Sequence, residues 1–134
     1  MHSNKFKFII PHGESLKNVA KEILKNTQKT KVLLLNGELG NGKTALVKEI
    51  AKQIGIEEKI TSPSFNYIKV YDGLVHIDAY NLTGNLDEFE DYFEDNIIAI
   101  EWANLLDIRY NKYIKIDIVM DEENNHIFNL EVVE

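Results

Sequence analysis

A chain of 134 residues, 44% apolar and 28% charged, suits one hydrophobic core and leaves little room for a second, so residues 1–134 are read as one domain. With 22 acidic against 15 basic side chains, a net charge of −7 and a single arginine (Arg109), it has no basic stripe to hold RNA or DNA by the phosphates. The absence of cysteine excludes disulfides, thiol catalysis and cysteine metal sites, and no apolar run nears the roughly 20 residues of a membrane span, so a cytoplasmic address is expected.

The opening MHSNKFKFII has too short an apolar segment for a signal peptide and lacks a small-residue cleavage site; KFKFII reads as a first strand. In SLKNVAKEILK, Leu16, Val19, Ala20, Ile23 and Leu24 recur at helical spacing, with Ser15 as N-cap. KVLLLN is a continuous apolar run, the pattern of a strand buried on both faces. It leads into GELGNGKT, residues 37–44, and TALVKEIAKQIG then sets Leu46, Ile50 and Ile54 on one helix face before Gly55 stops it. NYIKVY and LVHID flank an Asp72-Gly73 turn and predict a hairpin. LDEFEDYFED is acidic and amphipathic, and IIAIE is another buried strand. The tail alternates on both sides of DEENN: Ile114, Ile116, Ile118 and Met120 share one face, as do Phe128, Leu130 and Val132. A closing antiparallel hairpin is predicted there.

Gly37, Gly42, Lys43 and Thr44 complete the pattern G-x-x-x-x-G-K-S/T between a strand and a helix. The chemistry explains the spacing. Glycines let successive backbone N–H groups of residues 37–45 turn inward around a phosphate, at the positive end of the following helix. Lys43 reaches the β- and γ-phosphates, and the Thr44 hydroxyl ligates Mg²⁺. The cradle is therefore Gly37, Glu38, Leu39, Gly40, Asn41, Gly42, Lys43, Thr44 and Ala45. A random chain of this length matches the fixed positions roughly half a per cent of the time. The predicted fold is a three-layer α/β domain of the P-loop NTPase type, with a mixed sheet, a parallel core and a C-terminal antiparallel hairpin.

Guanine signatures are absent. No glycine has an aspartate three residues before it, and Asn111-Lys112 is followed by Tyr113-Ile114 where a guanine-reading aspartate would stand. ATP is favoured by elimination. Two strand-end carboxylates, Asp78 in LVHIDAY and Glu101 in IIAIEWAN, each follow an apolar run and are candidates to face the metal at the C-terminal edge of the sheet. TSPSF, residues 61–65, reads by itself as a turn into the next strand; it also falls where P-loop proteins carry a mobile segment in which Thr61 or Ser62 senses the γ-phosphate.

GELGNGKT, TSPSF, HIDAY and IEW, in this order and spacing, resemble the bacterial TsaE (YjeE) family, small P-loop ATPases of tRNA threonylcarbamoyladenosine (t6A) biosynthesis. The resemblance spans residues 5 to about 105. It implies a weak, Mg²⁺-dependent ATPase that resets a complex of two sugar kinase-like-fold partners, of the TsaB and TsaD types, between turnovers. The partners place the threonylcarbamoyl group on adenosine 37 of tRNA, so contact with tRNA is only indirect. By position, the resemblance gives Lys43 to the phosphates and Thr44 and Glu101 to Mg²⁺. It makes Asp78 the acid that supports hydrolysis, places Thr61 in the switch segment, and sets residues 11–15 beside the adenine. Trp102 follows the metal-binding glutamate, with core packing and a place at the site both open. Asn81, Ala45 and the EWAN stretch depart from the family's usual Arg, Thr and Glu-Trp-Pro-Glu.

Two rivals share the loop. A small-molecule kinase gathers several arginines around the transferring phosphate, which a chain with one arginine does not. A non-hydrolysing switch, in which nucleotide only sets affinity for a partner, predicts the same residues. LDEFEDYFED carries six carboxylates between Asp87 and Asp95; it is read as a solvated helix face with Phe89 and Phe93 inward, or as a docking surface for a basic partner. The four histidines show no metal-ligand spacing, and His76 reads as a strand residue beneath the site.

Overall fold

The computed structural model describes residues 3–27, 30–37, 42–60, 68–79, 95–102 and 112–133. The predicted acidic helix face, apart from Asp95, lies outside them, as do TSPSF, Glu38 to Asn41, Asn81 and Arg109.

Seven strands and two helices make up the described chain: β1 (Ser3–Ile10), α1 (Lys17–Asn26), β2 (Val32–Asn36), α2 (Lys43–Gln53), β3 (Ile68–Tyr71), β4 (Leu74–Asp78), β5 (Ile97–Glu101), β6 (Tyr113–Met120) and β7 (His126–Val133). The strands form one sheet in the order β1-β7-β6-β2-β5-β4-β3. Its centre, β6-β2-β5-β4, is parallel, and the flanking pairs β3/β4, β6/β7 and β1/β7 are antiparallel. The predicted mixed sheet with a parallel core and a closing hairpin is thus present. The sequence reading did not pair β1 with β7. These strands align over eight residue pairs, from Ser3↔Val133 to Ile10↔His126, and turn the closing hairpin into a three-stranded wing.

Burial follows strand alternation. Leu33 and Leu35 of β2 join Ile114, Ile116, Ile118, Phe128, Leu130 and Val132 in a core under Val19, Ala20 and Ile23 of α1 and Leu46, Val47 and Ile50 of α2. Leu34 points the other way, into a second cluster with Val75, Ile77, Ala79, Ile98 and Ile100. Both faces of the parallel centre are therefore buried, as continuous apolar runs require. Met120 shares the face of Ile114, Ile116 and Ile118, as expected, but is 41% exposed, because it ends β6 next to the turn, beyond the stretch covered by the helices.

The helices begin and stop for local reasons. α1 opens at Leu16, whose carbonyl accepts from Ala20, one residue later than the expected Ser15 cap; Ser15 Oγ instead accepts the Lys17 N–H at 3.1 Å. α2 ends in a paired closure, with the Gly55 N–H donating to Lys52 and the Ile56 N–H to Ala51. That closure requires a left-handed residue, and Gly55 has φ +94°. Together α1 and α2 hold one face of the sheet, and α2 starts at the edge where the parallel strands end.

Candidate functional site

Asn36, Asp78, Glu101 and Met120 are the last residues of the four parallel strands, so they share one sheet edge. Ligands bind at such an edge in open α/β sheets. The chain leaves β2 at Gly37 and enters α2 through Gly42, left-handed at φ +103°. Gly37 is pinned by space: a Cβ there would stand 2.8 Å from the Ile118 carbonyl oxygen, a backbone atom of β6. The crossing of the loop root over β6 tolerates no side chain.

Lys43 is the first residue of α2, with its side chain buried at 5% exposure. Its Nζ donates to the Gly37 carbonyl and sits 4.0 Å from the centre of the Trp102 ring. The cation is held by a carbonyl dipole and a π-face, in front of the N-terminus of α2. Trp102 therefore belongs to the site as well as to the second apolar cluster, against which it packs. It has φ +59°, an uncommon conformation for a residue with a bulky side chain, and its N–H donates to the Leu35 carbonyl at 2.9 Å.

Thr44 Oγ1 lies 3.2 and 3.4 Å from the two carboxylate oxygens of Glu101. Residues 57 apart in sequence meet because β2 and β5 pair in parallel, with Leu35 opposite Glu101. Glu101 is itself buried, at 4% exposure. Asp78 pairs with Glu101 across β4 and β5, so both carboxylates project on the α2 side of the sheet. A hydroxyl and two carboxylates are hard oxygen donors of the kind that suit Mg²⁺. Thr44 and Glu101 converge, and Asp78 stands beside them.

His76 is the strand residue beneath the site that the sequence suggested; its bond to Glu101 was not foreseen. It is fully buried, two residues before Asp78 on the same face of β4, and its Nε2 is hydrogen-bonded to Glu101 Oε2. On the other side of the loop, a cavity of about 190 Å³ is lined by Ile10, Pro11, His12, Gly42, Ala45 and Phe128, among others. His12 and His126 stack at its rim, with ring centroids 6.3 Å apart. Of the nine cradle residues, Gly37, Gly42, Lys43, Thr44 and Ala45 are brought together; Thr61 and the rest of the cradle lie outside the described residues.

The sequence model of the family described as "Threonylcarbamoyl adenosine biosynthesis protein TsaE" matches residues 10–128. The chain belongs to the TsaE family. Among the relatives of this protein, "tRNA threonylcarbamoyladenosine biosynthesis protein TsaE" of Streptomyces coelicolor is 36% identical over 99 residues, covering 66% of this chain and 67% of that one. Its counterpart in Rickettsia typhi is 35% identical over 99 residues, with 67% and 69% covered. In three dimensions the protein is similar to the crystal structure of Bacillus subtilus YdiB, with a TM-score of 0.72 at 25% identity, over 100% of this chain and 89% of that one. No helix among the described residues is long and apolar enough to cross a membrane.

Proposed function

We propose that this TsaE-family protein binds ATP with Mg²⁺ and hydrolyses it to drive a partner complex through repeated rounds of tRNA threonylcarbamoyladenosine formation. The observation that carries the reading is the meeting of Thr44 and Glu101 directly behind Lys43, at the N-terminus of α2. A cation, a helix N-terminus and a pair of hard oxygen donors at one sheet edge support the reading.

In this reading Lys43 turns from the Gly37 carbonyl to the phosphates. Thr44 and Glu101 would hold Mg²⁺, whose charge would offset that building on the phosphate oxygens. Asp78, at the adjacent strand end, would orient the attacking water, and the family resemblance assigns Thr61 to the switch segment. The cavity beside Gly42 and Ala45 takes the base, its apolar floor formed by Ile10 and Phe128 and its edge by Pro11 and His12. The partners are two proteins of sugar kinase-like fold, of the TsaB and TsaD types, and tRNA is reached through them.

The test is steady-state phosphate release by the chain alone and with the partner pair, alongside multiple-turnover tRNA modification. Slow release alone, stimulation by the partners, and loss of both in Lys43→Ala are expected. Release that stays at background in the complex, while modification still depends on nucleotide, would replace the ATPase with a non-hydrolysing switch. Modification that turns over repeatedly without the protein would remove the accessory role.

A further inference from the structure

We infer that His76 is a positioning residue: it fixes the Glu101 carboxylate toward Thr44 and thereby builds the metal site. The inference rests on the reading of Thr44 and Glu101 as metal donors and adds a residue that this reading does not require.

Glu101 is a buried carboxylate with few groups to hold it. Among the described residues its side chain contacts Thr44 and His76. The Thr44 hydroxyl stands 3.2 Å from Oε2 and 3.4 Å from Oε1, straddling the carboxylate more than orienting it. The imidazole bond is to Oε2 alone and comes from a side chain with 0% exposure, on a strand two pairs from its end. β4 and β5 are locked in register here, with His76 opposite Ala99 and Asp78 opposite Glu101. Ala99 leaves the space through which the imidazole reaches diagonally to the carboxylate.

The cost of this arrangement is visible at the other ring nitrogen. His76 Nδ1 is buried and has no hydrogen-bond partner among the described residues. Leaving a buried polar atom unpaired is destabilising, and a leucine of similar size would avoid it. A histidine kept only for packing would be a poor choice at this position. A histidine whose Nε2–H aims a metal-binding carboxylate accounts for both nitrogens, because the aim needs one donor and the strand offers no second partner. Groups that hold a metal's carboxylate ligands in place typically change metal affinity by about 10–100-fold when removed.

The test uses Mn²⁺ as a spectroscopic stand-in, titrated into the full chain saturated with ADP and followed by the electron paramagnetic resonance signal of free ion. His76→Leu is expected to weaken Mn²⁺ binding about tenfold, while its ADP affinity in chelator stays that of the wild type. His76→Gln, whose amide nitrogen reaches nearly as far as Nε2, should restore most of the affinity. His76→Asn, one methylene shorter, should not. In a Glu101→Gln background, His76→Leu should have no further effect. Wild-type Mn²⁺ affinity in a folded His76→Leu, or a His76→Gln as weak as His76→Asn, overturns the inference. If His76→Leu does not fold, the Gln and Asn pair decides. A wild-type chain that binds ADP but no Mn²⁺ sinks the metal reading itself, which the variant comparison leaves intact.

Discussion

Lys43 joins two opposed demands on one side chain. Its ammonium is nearly fully buried against the Gly37 carbonyl and the Trp102 ring, where a charge loses most of its hydration. A residue selected for stability alone would be apolar there. Lys43→Met is therefore expected to leave the melting temperature of the nucleotide-free protein unchanged or raised. Nucleotide affinity should fall by at least tenfold, the loss of one hydrogen bond between charged groups being about 1.5–3 kcal/mol. Calorimetric melting and an ADP titration on the same preparation check both halves; a lowered melting temperature would show that the cation stabilises the fold. At this scale the sequence was informative where a motif fixed the spacing. Lys43 and Thr44 follow from the loop pattern, and Asp78 and Glu101 from apolar runs that end in a carboxylate. Which carboxylate meets Thr44 was not readable, since it depends on the register of β2 with β5. The place of His76 beneath the site was legible but its bond to Glu101 was not, since a lone histidine in an alternating strand has the pattern of an ordinary core position.

Among the elements, the β6–β7 hairpin owes its turn to one half-buried carboxylate. Asp121 Oδ1 accepts the N–H groups of Glu123 and Asn125, each at 2.9 Å, and Oδ2 accepts the Asn125 side-chain amide at 3.0 Å. Asn124 supplies the left-handed residue, at φ +65°. The Asn125 side chain is the largest cause that holds the Asp121 carboxyl below its ordinary value of 3.8, followed by the Asn125 backbone. A folded-state pKa below the unfolded one stabilises the fold above the unfolded value and ceases to do so as the pH falls through the lower, folded value. Asp121→Ala should therefore melt earlier than wild type near neutral pH, and the gap should close on acidification through the lowered carboxyl pKa. Thermal melts of both proteins along a pH series measure this; a gap that is constant with pH would assign the effect to packing. The hairpin itself was legible from alternation around DEENN. Its partner β1 was not, because nothing local links residue 3 to residue 133. Met120 shares the face that periodicity assigns it, but periodicity does not say where cover ends.

The whole molecule gathers its chemistry at one edge of a sheet buried on both faces in its centre. A ligand bound there joins α2 to the ends of β2, β4 and β5, so its binding free energy adds to the stability of the folded chain as a unit. Mg²⁺ with ADP at about 100 times the dissociation constant should add about 2.7 kcal/mol, read as a rise of several degrees in melting temperature. Adding chelator should remove the metal-dependent part of the rise, and Glu101→Gln should lack that part from the start. A rise identical with and without chelator would place the metal elsewhere. The fold class was legible because the apolar runs, the glycine loop and the alternating tail each have a period of their own. The strand order was not, because spatial neighbours such as β2 and β6 are separated by most of the chain.

Trp102 is the sole tryptophan of the sequence, and its ring faces the ammonium of Lys43 at 4.0 Å. If the loop takes phosphate as proposed, the chain carries an intrinsic optical gauge of it: drawing the cation from the ring should change the emission of a single indole, with no other tryptophan to dilute it. A shift in emission on adding ADP, absent in Lys43→Ala, would let loop occupancy be followed by fluorescence in real time while partners come and go.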